Sequence, residues 1–175
     1  MNDLPEQIYR ELIPTDLPAL LDLDAIVQAE LKERKHQYFI KQYLSEYKAK
    51  ELEHLFDRKR HIILGAFHNN SLNGTLRLTV NQDELGKFHK ILGTDHKLGY
   101  LGHGMVRSEY RGNDIMTRLV ARAMDEAGTE ECASLVTLVR PDNKPGLGVA
   151  TKLWFDYIKQ IQVAKRPAFV FSKEL

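Results

Sequence analysis

Residues 105–124, MVRSEYRGNDIMTRLVARAM, pass from an apolar strand end through Arg111-Gly112-Asn113 straight into a helical pattern. A strand–turn–helix of this kind presents unpaired backbone N–H groups at a helix start, a ready site for phosphate. Arg111 adds a permanent positive charge, and Gly112 lets the backbone approach a ligand closely. Asp114 and Met116 stand where such a turn would most usefully carry glycine. A carboxylate beside a phosphate is repelled unless it points away. In the first turn of a helix, however, the same carboxylate can act as a cap favoured by the helix dipole. Both readings of Asp114 stay open, and in either its main-chain N–H can face a phosphate.

Other reactive side chains offer less. His89, His96 and His103 recur every seven residues, a spacing that fits no compact metal site, so no metal is expected. The single cysteine, Cys132, precedes an apolar strand and reads as a small buried hydrophobe rather than a nucleophile. Arg77, in GTLRL, falls on the polar side of a strand, where it pairs on the surface or holds an acidic substrate group.

At 175 residues the chain is most simply one domain, residues 1–175, with 43% apolar and 28% charged residues. A net charge of +1 argues against nucleic acid as a partner. One cysteine excludes an internal disulfide framework and favours a reducing compartment. The start MNDLPEQIYR lacks the basic and apolar regions of a signal peptide. No apolar stretch approaches the roughly 20 residues that span a bilayer, so no membrane partner and a cytoplasmic location are expected.

The elements that must position the turn follow from periodicity. Residues 8–13 read as a strand stopped by Pro14, with Thr15 or Asp16 capping a helix that carries Leu17, Leu20 and Leu21. Ile40, Tyr43, Leu44 and Tyr47 predict a second helix over 37–57. Strands are expected at 61–67 and 72–80, turned by Asn69-Asn70, the second with one apolar and one polar face. Residues 81–98 read as a long loop. A strand at 100–107 enters the turn, and the helix beyond it ends at Gly128. The strand SLVTLV, a short helix after RPDNKPG and a last strand at FVFS complete an order of β-α-α-β-β-β-α-β-α-β, a mixed α+β chain.

Three pieces of this pattern resemble the GCN5-related N-acetyltransferase (GNAT) superfamily. They are the opening strand followed by Asp16-Leu17-Pro18; Val106-x-x-x-Tyr110-Arg111-Gly112 at the turn; and Asn143, Gly146, Val149 and Trp154-Phe155 at the family's later spacing. The resemblance implies a mostly antiparallel sheet of six to seven strands flanked by about four helices. It implies an acyl-coenzyme A co-substrate, most simply acetyl-CoA. Its pyrophosphate would lie on Arg111, Gly112, Asn113, Asp114, Ile115 and Met116, and its pantetheine arm along Met105, Val106 and Arg107, with Asn143 organising the next loop and bonding that arm. Against the family pattern Arg-x-x-Gly-x-Gly/Ala, both glycine-like positions are lost here, at Asp114 and Met116.

The chemistry so implied is direct attack of an amine on a thioester, without a covalent enzyme intermediate. His103, three residues before Val106, is the candidate base by position, directly or through water, although a histidine satisfying a backbone carbonyl fits equally. The tyrosine that many relatives use as the acid would fall at Ala150, leaving Tyr157 as a distant substitute that otherwise reads as a packing residue. Tyr38, Phe39, Tyr43 and Tyr47 could line an acceptor pocket. The implied partner is a small-molecule or peptide amine, with a homodimer possible. Two alternatives remain: a donor borne on acyl carrier protein, and a module that binds acyl-CoA without turnover.

Overall fold

The computed structural model describes residues 7–33 and 55–175. Within them the chain runs through β1 (Ile8–Glu11), α1 (Leu17–Glu33), β2 (His61–His68), β3 (Ser71–Thr79), α2 (Gly86–Leu92) and β4 (Leu98–Val106), and then α3 (Ile115–Thr129), β5 (Ser134–Val139), α4 (Lys144–Lys152), β6 (Asp156–Val163) and β7 (Arg166–Glu174). The strands form one seven-stranded sheet in the order β1-β2-β3-β4-β5-β7-β6. Every neighbouring pair is antiparallel except β4 and β5. The α+β architecture expected from the sequence is the one observed.

Local chemistry sets the boundaries. Before α1, the Asp16 carboxylate accepts from the Ile13 amide at 2.9 Å and pairs with Arg10 at 2.7 Å, which fixes how the chain leaves β1. Asn69 (φ 47°) and Asn70 (φ 62°) turn β2 into β3 in the left-handed conformations that asparagine tolerates. The helix expected over 37–57 falls outside the described residues up to position 54, as do Tyr38, Phe39, Tyr43 and Tyr47, and residues 55–57 are not helical.

Helices cover both faces of the sheet. Ile115, Leu119, Val120, Ala123 and Ala127 of α3 are buried against Ile62, Leu64, Leu76, Leu78, Leu101 and Leu135. On the other face Leu20, Leu23 and Val27 of α1 meet Ile63, Phe67, Leu72 and Met105. Fully burying one such side chain contributes about 1.5–3 kcal/mol.

Four expectations are corrected. Residues 81–98 are not a plain loop: Asn81 caps a 3-10 turn at Gln82–Leu85, and α2 follows, with buried Phe88 stacked 4.9 Å from Tyr100. The polar side of β3 is not solvated, because Thr75, Arg77 and Thr79 are all buried. Arg77 is therefore no surface residue. Helix α3 runs past Gly128 to Thr129, and the left-handed residue that turns the chain is Glu131. The tail contributes two strands, β6 and β7, where one was read.

Candidate functional site

Strands β4 and β5 pair only from Leu98–Ser134 to Leu101–Thr137. Beyond that rung both continue, β4 to Val106 and β5 to Val139, but they diverge. The split opens a cavity of about 1050 Å³ lined by Gly102 to Val106 on one side and Thr137 to Arg140 on the other. At one end it reaches the 110–117 segment and α4 from Pro145 to Lys152. Val27 and Leu31 of α1 also line it.

A β-bulge sits at the split. Between Arg77–Gly102 and Thr75–Met105 the single residue Leu76 of β3 faces two residues of β4, His103 and Gly104. His103 adopts a φ of 53°, and a bulge of this kind re-aims a side chain and bends its strand. A Cβ on Gly104 would lie 2.9 Å from Met116 Cε, the flexible end of that side chain. Met116 thus packs over the bulge.

The imidazole of His103 is pushed down to about 3, first by burial and then by Arg77 and His61. His61 is pushed down to about 4 by burial and Arg77, with Glu84 pulling the other way. Both rings are neutral at pH 7. A neutral His103 can accept a hydrogen bond from an amine or a water, but it holds a transferred proton weakly.

The turn at 110–114 leads directly into α3. Gly112 has a φ of 81°, the left-handed region open to glycine. Among the described residues, the amides of Gly112, Asn113 and Asp114 donate to no backbone carbonyl, and the first turn of α3 follows at once. Asn113 staples the turn through Nδ2, which donates to the Tyr110 and Arg111 carbonyls at 3.2 and 3.3 Å. Arg111 donates from Nε to the Val106 carbonyl at 3.0 Å and pairs with Glu30 of α1 at 2.6 Å. Burial pulls the Glu30 carboxyl upward, but hydrogen bonds from Ser108 and Arg111 outweigh it and leave it below its ordinary value. These features fit a diphosphate: open amides, a helix start and a guanidinium at its edge.

Asp114 settles its two readings. Its side chain does not cap α3. Oδ1 accepts instead from Lys152 Nζ at 2.8 Å, and that hydrogen bond holds the carboxyl below its ordinary range.

Of the candidate catalytic and cofactor-binding residues, the cavity gathers His103, Met105, Val106, Arg111, Gly112, Asp114, Ile115, Met116 and Asn143. Asn143 also caps α4, accepting from the Gly146 amide at 3.1 Å. Three stand aside. Arg107 ties the end of β4 to the Leu72 carbonyl and to Asp22 of α1 at 2.7 Å. Asn113 works inside the turn as described. Tyr157 lies on the edge strand β6, 56% exposed, packed edge-on against Phe169 and Phe171. The structure does not bring it to the cavity. Sequence reasoning missed Thr137, Arg140 and Lys152, which line the cavity from β5, from the position just after it and from α4. Only the split and the packing of α4 bring them there, and no local motif announces either.

The acetyltransferase (GNAT) family model matches residues 26–155. An acetyltransferase of that family from Streptococcus pneumoniae is 19% identical, with 97% of this chain and 99% of that one aligned at a TM-score of 0.72. PaiA N-acetyltransferase from Thermoplasma acidophilum, solved with coenzyme A, is 17% identical with the same coverage and TM-score. Ribosomal-protein-S18-alanine N-acetyltransferase from Escherichia coli is 15% identical, covering 97% of this chain and 94% of that one at a TM-score of 0.66. At these identities the likeness speaks for the fold. Among curated protein sequences none matches this chain. The family pattern spans most of the sequence, and the chain belongs to the acetyltransferase (GNAT) family.

Proposed function

We propose that the protein transfers an acyl group, most simply acetyl, from acyl-coenzyme A to an amine within a ternary complex. The observation that carries this reading is the split between β4 and β5, which leads straight to the open amides of residues 112–114. Acetyl-coenzyme A supplies an activated thioester carbonyl; the amine attacks it, a C–N bond forms and the C–S bond breaks.

The chain's own residues do the rest. Amides at 112–116 and the α3 start hold the diphosphate, and the freed inner edge of β4 at Met105 and Val106 offers main-chain groups to the pantetheine amides. His103, neutral at the bulge, accepts a hydrogen bond from the incoming amine or from a water that relays its proton. Alanine stands at position 150 and Tyr157 lies outside the cavity, so the departing thiolate takes its proton from water or from a hydroxyl of the lining, where Tyr100, Tyr110 and Thr137 stand. Holding two reactants in register then supplies much of the acceleration.

The test is incubation with acetyl-CoA and a panel of amines, following free thiol, beside calorimetry with coenzyme A and with acylated carrier protein. Thiol release with at least one amine is expected, with binding of coenzyme A. Tight coenzyme A binding with no release for any amine would leave a binding module, and binding of the carrier protein alone would move the donor.

A further inference from the structure

The backbone at position 114 is left-handed, with a φ of 56°, a conformation that suits glycine and that aspartate tolerates. An aspartate just before a helix ordinarily folds its carboxylate onto the first amides. There it would stand over the groups that phosphate needs. In this chain it turns away, and Lys152 Nζ, in the last turn of α4, meets it at 2.8 Å. Both side chains are more than half exposed, 54% for Lys152 and 58% for Asp114, and both residues line the cavity. An exposed pair of this kind adds little to stability. Its consequence lies in charge: a lone carboxylate beside the turn repels an incoming phosphate, and an ammonium in contact with it cancels that repulsion. Arg118, one turn into α3, acts on Asp114 in the same direction more weakly.

We infer that Lys152 is a positioning residue for the donor, holding the Asp114 carboxylate off the amide cradle and neutralising it. The lysine is what makes an acidic residue workable at a position where the family pattern carries glycine. This inference rests on the reading of the turn as a coenzyme A site and adds a residue from outside the motif to it.

Calorimetry of the full chain with coenzyme A tests it, using wild type, Lys152→Met, Lys152→Arg, Asp114→Asn and the Asp114→Asn/Lys152→Met double variant. Lys152→Met is expected to weaken binding on the order of tenfold at low salt, and less at high salt. Lys152→Arg restores the affinity. The double variant binds close to wild type, because the charge that needed compensation is gone. A Lys152→Met variant that binds as well as a binding wild type overturns the inference while leaving the donor reading intact. So does a double variant as weak as Lys152→Met, which would make the ammonium a direct phosphate ligand. A folded wild type that binds no coenzyme A removes both.

Discussion

His103 occupies a strand yet holds a left-handed backbone, because the bulge opposite Leu76 inserts one extra residue at the point where β4 leaves β5. Its neutrality follows from burial and from the Arg77 guanidinium rather than from a carboxylate partner. The His103→Ala variant is expected to lower kcat/KM by about 10²-fold with coenzyme A affinity retained, as steady-state kinetics beside calorimetry would reveal. Wild type should show no inflection near pH 6.5 from this group, since its proton arrives only near 3. Gly112 is constrained differently. At a φ of 81° any β-branched residue is strained, so Gly112→Val should cost roughly 1–2 kcal/mol in denaturant unfolding and weaken coenzyme A binding as the turn distorts. Unchanged unfolding would mean that the turn adopts another backbone at no cost.

Helix α3 links the turn to the sheet. Its apolar stripe fixes where the amides stand, with Ile115 packed so closely that a Cβ on Gly74 would meet its Cγ2 at 2.8 Å. Leu119 is fully buried in that stripe, and Leu119→Ala should destabilise the fold by about 2–5 kcal/mol in urea titration. Elements with a strong period were legible in the sequence: α3 from its 3–4 spacing, β2 from its apolar run and β3 from its alternation, on either side of Asn69-Asn70. Helix α2 was not, because seven residues carry too little periodicity, with only Phe88, Ile91 and Leu92 facing inward. Strand β6 was missed for a related reason. Exposed along most of its length, it has the polar composition of an edge rather than an apolar run. In the site, the turn was readable because its amides and charge are local, whereas the Asp114–Lys152 pair joins positions that only tertiary packing brings together.

Across the whole molecule, the buried His61 and the half-buried His103 couple stability to acidity. Unfolded, His61 and His103 take up protons near the ordinary 6.5; folded, they wait until about 4 and about 3. The unfolded chain therefore binds more protons across that window, and stability falls as the pH drops from 6.5 toward 3. Tm measured from pH 7.5 to 4 should decline, and a His61→Gln/His103→Gln variant should decline less steeply. If the two curves run parallel, these rings do not contribute. The divergence of β4 and β5 has a consequence for association as well. Strand edges left without a ladder ordinarily invite pairing with other chains. Here the two bare edges face each other across the cavity instead of lying at the outer rim of the sheet. A guest carrying its own amides would complete the hydrogen bonding there, and the seam is kept away from the rim where sheets meet other chains.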